Sequence, residues 1–370
     1  MKVLIFSTTS GIGDMIMTIP MIKLLRRKIP HAYIVLGVLP EGARQLFEVC
    51  PYVNEVRKVE TDGPIVPDLV LRNAWLLWRM IRDYKFDVCI PTSVSYASFY
   101  MGIDNIIARF MRARLRVGYL LPSSGAFIWR LLGFSFLLHR KMRVDPSKHH
   151  VLQNIELLRL IGLENEGEVP ELELWTTEED ERRADLFLER HGIKPSDGLV
   201  GVHPGGNVWV MKRWPARKFA ALIDGIRAEF PGTKFLIFGG PEEEGLKRRV
   251  AEMAGGDVIT VEAMPIRATA ALIRKCHLFI ANDSAPMHMA AAVKTPVIGI
   301  FGPTNPRATG PFSPKSAVVS LSLGCQPCYN KVGFFPNTRC AAEPQYRCLT
   351  QLPVSMVLEK ACQMLGEVRV

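Results

Sequence analysis

Between Asn105 and Val144 the chain has no aspartate and no glutamate, while eight basic residues fall there: Arg109, Arg112, Arg114, Arg116, Arg130, Arg140, Lys141 and Arg143. This acid-free stretch carries most of the excess charge of a 370-residue chain with 46 Lys and Arg, 36 Asp and Glu, and a net charge of +10. Such a patch serves nucleic acid, an anionic membrane surface or a phosphorylated substrate, or is a solvated face. Also lacking is any uninterrupted apolar run of the roughly 18–20 residues a membrane span needs. The nearest, Ala126 to Leu138, is broken by Arg130 and reads as a core or interfacial helix. Val3-Leu4-Ile5-Phe6 is too short for the h-region of a secretory signal, so a cytoplasmic protein is expected. At 48% hydrophobic residues the chain is neither disordered nor a fibrous or small disulfide-stapled type.

What is present is an alternation. In the second half, apolar runs at Leu199–His203, Lys234–Phe238, Val258–Val261, Leu278–Ala281 and Pro296–Phe301 alternate with helical patterns such as Phe219, Leu222, Ile223 and Ile226. Strands that are apolar throughout belong to a parallel sheet covered on both faces. The first half repeats the order with strands at Lys2–Phe6, Tyr33–Val38 and Phe86–Pro91, a helix at Asp14–Lys28, and a basic segment expected to be helical and irregular. The acidic stretch near residues 165–180 is the candidate linker. The expected fold is α/β: two Rossmann-like, doubly wound domains facing a cleft, where ligands meet the carboxyl ends of the strands. Residues 1–175 form the first domain and 176–350 the second, while 351–370 form a helix packing back toward the first.

Three loops leave strand ends. The first reads Ser7-Thr8-Thr9-Ser10-Gly11-Ile12-Gly13-Asp14. It is not a dinucleotide fingerprint, since the third glycine would fall at Ile16, and no Gly-Lys-Ser/Thr follows to make a P-loop. Its glycines admit close approach of a ligand to a helix amino terminus, and Asp14 is either the helix cap or a base. The second reads His203-Pro204-Gly205-Gly206, then Met211-Lys212-Arg213-Trp214-Pro215. Two adjacent cations before a helix suit a diphosphate, with Lys212 the point charge, or form an ordinary surface pair. Pro215 suits the first turn of the helix that follows. The third, Asn282-Asp283-Ser284-Ala285-Pro286-Met287-His288, opens a helix after a strand and suits a ribose and phosphate. Asp283 or Ser284 would cap that helix, and His288 lies one turn beyond Ser284.

Together these loops resemble the heptosyltransferases of glycosyltransferase family 9. The resemblance lies in Gly11-Ile12-Gly13-Asp14 through Pro20, in His203-Pro204-Gly205-Gly206 with Lys212-Arg213-Trp214-Pro215, and in Asp283 to His288 followed by Phe301-Gly302-Pro303-Thr304. It covers nearly the whole chain, and departs from the family where Ser284-Ala285 replaces Thr-Gly. The resemblance implies a GT-B fold and inverting, metal-independent transfer of a heptose from ADP-heptose to a lipopolysaccharide core acceptor, with no cofactor. Asp14 would be the base and Lys212 the stabiliser of the leaving diphosphate. Gly13, His203, Gly205, Gly206, Glu243, Asp283, Ser284, Ala285 and His288 would hold the donor, a nucleoside diphosphate sugar. Arg109, Arg112, Arg140, Lys141 and Arg143 would meet a phosphorylated glycolipid acceptor or the inner membrane's cytoplasmic face.

Rival readings are another sugar nucleotide or acceptor on the same fold, a basic nucleic-acid-binding protein, and a dehydrogenase. The nucleic-acid reading lacks stacking aromatics and a recognised motif, and the dehydrogenase lacks its fingerprint. Cys325, Cys328, Cys340 and Cys348 form C-x2-C-x11-C-x7-C, either a zinc site or reduced thiols.

Overall fold

Short apolar runs become short strands, and every described strand runs parallel to its neighbours. The structure, a computed structural model, describes all residues except 8–10, 39–40, 59–84, 94–97, 112, 121–134, 207–209, 329–339, 341 and 370. It divides into two compact units, Met1–Glu171 and Leu172–Val370. In the first, β1 (Lys2–Phe6), β2 (Tyr33–Val38), β3 (Glu55–Lys58), β4 (Val88–Pro91), β5 (Leu115–Leu120) and β6 (Arg140–Arg143) make a sheet of order β3-β2-β1-β4-β5-β6. In the second, β7 (Leu199–His203), β8 (Lys234–Ile237), β9 (Ile259–Thr260), β10 (Leu278–Asn282), β11 (Val297–Ile300) and β12 (Ser316–Val319) make β12-β11-β10-β7-β8-β9. Read from its other edge, the second order is the same as the first. Each sheet reverses its winding once, between β1 and β4 and between β7 and β10. Ligands bind at such switch points in doubly wound folds.

Register fixes which loops meet there. Val3 pairs with Val88 and Phe6 with Pro91, so the loops leaving β1 and β4 emerge together. Leu278 pairs with Val200 and Ala281 with His203, so the same holds for those leaving β7 and β10. The middle strands β7 and β10 are buried from end to end, and β1 is buried beyond Lys2, as near-continuous apolar sequence requires. Helix Ala216–Glu229 buries Phe219, Ala220, Leu222, Ile223 and Ile226, the stripe its 3.6-residue period predicts.

Several expectations change. The helix expected over Asp14–Lys28 is two, Ile12–Ile16 and Ile19–Lys28, because Pro20 cannot donate the backbone bond a continuous helix needs. Within the basic segment, expected to be helical and irregular, the described residues also form two strands, β5 and β6, after helix Ser98–Phe110. β12 was not foreseen, as Ser316-Ala317-Val318-Val319 is too short and mixed to stand out. The boundary between units falls at Glu171–Leu172, and the acidic run after it opens helix Glu178–Arg190, where Thr177 and Asp180 form a capping box. Pro215 is the N-cap of helix Ala216–Glu229 rather than a member of its first turn. The last helix, Val354–Arg369, was expected to return to the first domain. Within its own unit it packs on helix Ala216–Glu229, with Val357, Ala361 and Leu365 in the same core as Trp214 and Leu222. Those apolar side chains find their burial within their own unit.

Candidate active site

At the second switch point four loops are tied together by polar side chains. Asn282 ends β10 fully buried, and its amide donates to the carbonyls of Pro204 and Gly205 at 2.8 and 2.9 Å. Its carbonyl oxygen accepts from the Trp214 backbone N–H at 3.1 Å. One side chain thereby joins the loop after β7, the segment before helix Ala216–Glu229 and the end of β10. Trp214 is itself anchored: its indole donates to the Leu352 carbonyl at 3.2 Å, and its ring meets Phe219 edge-on at 5.0 Å. Two residues upstream of that anchor, the Lys212 ammonium reaches Asp283 Oδ2 at 2.9 Å, with both side chains largely buried.

Asp283 follows Asn282 directly, at the entry to helix Ala285–Ala292. Burial pushes its carboxyl up, but the Lys212 ammonium, helped by His288, outweighs this and holds it below the usual carboxylate range. The pair is an ion pair, with Lys212 held as a fixed cation at the carboxyl edge of the sheet. Ser284 occupies the N-cap position of the helix without capping it through its side chain. Its hydroxyl instead lies 3.0 Å from His203 Nδ1 and donates to the Asn282 carbonyl at 2.9 Å. Asp283, the other expected cap, is committed to Lys212.

His203 continues the chain of contacts, with Nε2 3.1 Å from Glu243 Oε2. Glu243 also accepts from the N–H groups of Gly206 at 2.9 Å and Gly240 at 3.2 Å. Burial raises its carboxyl, and His203 with these two amides more than reverses that, bringing it down from 4.5 to about 2. The Arg213 guanidinium approaches the same carboxylate at 3.9 Å. Gly205 is required here, because a Cβ on it would run into the Glu243 carboxylate. His203, Gly205, Gly206, Glu243, Lys212, Asp283 and Ser284 are thus brought together. Ala285 begins the helix, and His288, buried one turn on, faces Asp283 closely enough to lower its carboxyl.

The first switch point is simpler. Ser7, leaving β1, and Ser93, leaving β4, share a buried hydroxyl contact at 2.9 Å. Gly11 is the N-cap of helix Ile12–Ile16, so Asp14 does not cap it. Asp14 sits in the first turn, and its carboxylate folds over Gly11, where a Cβ would collide with it. Gly13 is buried in the same turn.

The basic patch is more scattered than the sequence implied. Arg109 is exposed near the end of helix Ser98–Phe110, and Arg112 lies outside the described residues. Arg140, Lys141 and Arg143 are exposed on the edge strand β6. Arg109 and Arg140 therefore stand toward the amino ends of the strands, and Arg143 closes β6 at the carboxyl edge that carries Asp14. Arg140 also donates to the Leu160 carbonyl at 2.8 Å, and Arg116 is a structural brace to Leu137 and His139. Of Ala126 to Leu138, residues 126–134 lie outside the described residues, Ser135–Leu137 form a single 3-10 turn, and Leu138 is buried.

All eight cysteines are free thiols, and burial with the neighbouring Cys328, Cys340 and Cys325 pushes the Cys348 thiol up to about 11. Among the described residues no group of three or more His, Cys, Asp or Glu is placed to hold a metal ion.

Residues 74–338 match the model of glycosyltransferase family 9 (heptosyltransferase). The chain belongs to this family. Within it, the chain is 24% identical to lipopolysaccharide heptosyltransferase 2 of Salmonella typhimurium, over 99% of both chains. It is 31% identical to lipooligosaccharide heptosyltransferase 2 of Campylobacter jejuni over 185 residues, spanning about half the length of that relative (53%) and 48% of this chain. A solved family 9 glycosyltransferase from Veillonella parvula superposes with a TM-score of 0.77 at 24% identity, covering 99% of this chain and 97% of that one. An Escherichia coli heptosyltransferase solved with ADP gives 0.66 at 19% identity, covering 98% and 100%. Two parallel six-stranded sheets with flanking helices are the GT-B architecture of these family 9 structures. The protein is a glycosyltransferase of this heptosyltransferase family.

Sequence reasoning named Asn282 and Arg213 only as members of their loops and gave neither the contacts it makes in the site. A signal for Asn282 existed: an asparagine closing an otherwise apolar, fully buried strand has to satisfy its amide somewhere. For Arg213 the sequence showed a cation beside Lys212, but not its approach to Glu243, which depends on a contact thirty residues away in sequence.

Proposed function

We propose that this glycosyltransferase moves a heptose from ADP-heptose to a hydroxyl of a phosphorylated lipopolysaccharide-core acceptor, with inversion and without a metal ion. The observation that carries the reading is the buried Lys212–Asp283 pair at the second switch point. A lysine held as a fixed cation at the entrance of helix Ala285–Ala292 suits a departing diphosphate, since backbone amides at a helix amino terminus favour the same charge. A family relative solved with ADP agrees with a nucleoside diphosphate donor.

In this reaction the acceptor oxygen attacks the anomeric carbon on the face opposite the leaving group. The bond from that carbon to the β-phosphate oxygen breaks, and ADP departs. Asp14 takes the proton from the acceptor hydroxyl as the new bond forms. Lys212 stabilises the charge that grows on the diphosphate, where other transferases use a divalent ion. Glu243, His203 and Ser284 shape the donor side, with the amides of Gly205 and Gly206 close by. Arg143, at the carboxyl edge, meets the acceptor's phosphates, while Arg109, Arg140 and Lys141 face anionic lipid of the inner membrane's cytoplasmic leaflet. No described helix is long and apolar enough to cross a membrane.

The deciding experiment incubates the enzyme with ADP-heptose, other sugar nucleotides and a defined core acceptor, reading product and thermal stabilisation together. A donor that binds raises the melting temperature by mass action. Transfer from ADP-heptose with release of ADP supports the reading; stabilisation and transfer with a different nucleotide sugar alone replaces it.

A further inference from the structure

Helix Ile12–Ile16 is five residues long, too short to hold its own geometry in water. It is separated from helix Ile19–Lys28 by a break at Met17 and Thr18, which Pro20 enforces. Local bonds tighten this break: the Met17 N–H donates to the Gly13 carbonyl at 3.0 Å, and the Thr18 hydroxyl to Met15 at 2.6 Å. The Met17 carbonyl is held from elsewhere. It accepts from the Asn154 side-chain amide at 3.3 Å, across 137 residues of sequence. Asn154 is 2% exposed on helix His150–Glu156, which packs on helix Ile19–Lys28. Its own carbonyl oxygen accepts from the Tyr119 hydroxyl at 2.9 Å. Tyr119 is likewise 2% exposed and belongs to β5, next to the edge strand that bears Arg140 and Arg143.

A buried asparagine with both ends engaged has one orientation, since a flipped amide would set its oxygen against the Met17 carbonyl, acceptor against acceptor. The arrangement thus fixes a backbone carbonyl three residues from Asp14 and ties it to the strand layer beneath the basic patch. We propose that Asn154, with Tyr119 behind it, is a positioning residue for Asp14, holding the broken helix so that the carboxylate meets the acceptor hydroxyl. This rests on Asp14 being the base. A displacement of about 1 Å in such a group is enough to cost roughly a hundredfold in rate, so loss of one distant prop reads out as a part of that.

Two substitutions, each made alone and in an Asp14→Glu background, test it: Asn154→Leu, which keeps the volume and removes both bonds, and Tyr119→Phe, which removes one hydroxyl and keeps the ring. The expected result is a kcat lowered about tenfold by Asn154→Leu and about threefold by Tyr119→Phe, with the donor KM unchanged within twofold. In the Asp14→Glu background, where the carboxylate is already displaced, the same changes cost less than twofold, the non-additivity expected of coupled groups. Equal losses in both backgrounds, or a parallel loss of donor affinity, would overturn the proposal in favour of a general structural role. If Asn154→Leu does not fold, Tyr119→Phe and its double variant decide by the same comparison. Full activity in Asp14→Ala removes the base itself, an outcome distinct from an inactive Asp14→Ala beside an unimpaired Asn154→Leu, which overturns the positioning alone.

Discussion

At the switch point of the second sheet, Lys212, Asp283, Asn282, Ser284, His203 and Glu243 are tied into their loops by buried polar contacts. At the equivalent point of the first sheet, a Ser7–Ser93 hydroxyl contact lies below a five-residue helix that presents Asp14 half-buried at the edge. Both sheets wind in the same order, so topology does not produce this contrast. The chemistry proposed for each side accounts for it. A diphosphate brings concentrated charge, and a site that meets it is best assembled in advance, with its cation already oriented and its loops fixed. A base has to accept a proton from a weakly acidic hydroxyl, which asks for placement rather than for a dense field. The difference between the units is therefore one between electrostatic preorganisation and positioning.

That contrast breaks most visibly at Asp14. Asp14→Ala is expected to lower transfer by roughly 10²–10⁴-fold, the range of a lost general base, and to leave donor binding measured by calorimetry unchanged. Loss of donor binding as well would erase the division of labour. Lys212→Ala should lower kcat by about 10²-fold and weaken donor affinity too, because a fixed cation binds the diphosphate and stabilises its departure. It also leaves Asp283 buried without its partner, so the second unit loses stability.

Acid sharpens the comparison. Glu243 is held near 2 against an ordinary 4.5, so it contributes stability in full above 4.5, and this is lost as pH falls through about 2. The contribution is roughly 3 kcal/mol at neutral pH. Thermal denaturation of the wild type between pH 5 and 2 should show the decline, and Glu243→Gln should flatten it. An unchanged slope in the variant would assign the acid sensitivity elsewhere.

Two glycines give a smaller and more local test. Gly205→Ala forces a Cβ into the Glu243 carboxylate and should destabilise by about 1–3 kcal/mol, seen as a lower melting temperature together with weaker donor binding. Gly11→Ala presses on the half-buried Asp14 instead, whose side chain can move. It should lower transfer several-fold with little loss of stability. The smallest effect belongs to the patch: replacing Arg140, Lys141 and Arg143 by Gln should raise the acceptor KM about two- to threefold at low salt, converge on wild type at high salt and leave donor affinity alone.

Much of the second unit was legible because its strands are short, uniformly apolar and separated by Gly and Pro at the right distances. Leu199–His203 was read with its final bounds for this reason. The first unit was read less well. Arg140-Lys141-Met142-Arg143 gives no hint of a strand, since an edge strand needs no apolar faces of its own. Asp14 looked equally like a cap and like a base, and only the backbone of Gly11 in the N-cap position removed the first possibility.

What the sequence determined by itself is the alternation of strand and helix, the three strand-end loops with their charged residues, and the concentration of positive charge in the first unit. These follow from local periodicity and composition, which survive in one dimension. Only the tertiary structure decided that Asn282 clamps the loops after β7 and β10, that Glu243 and His203 share a buried contact, that the final helix belongs to the second core, and that Asn154 reaches the helix break behind Asp14. Each of these depends on groups tens to more than a hundred residues apart, whose pairing is set by strand order and by the requirement that buried polar atoms find partners. No local pattern encodes that.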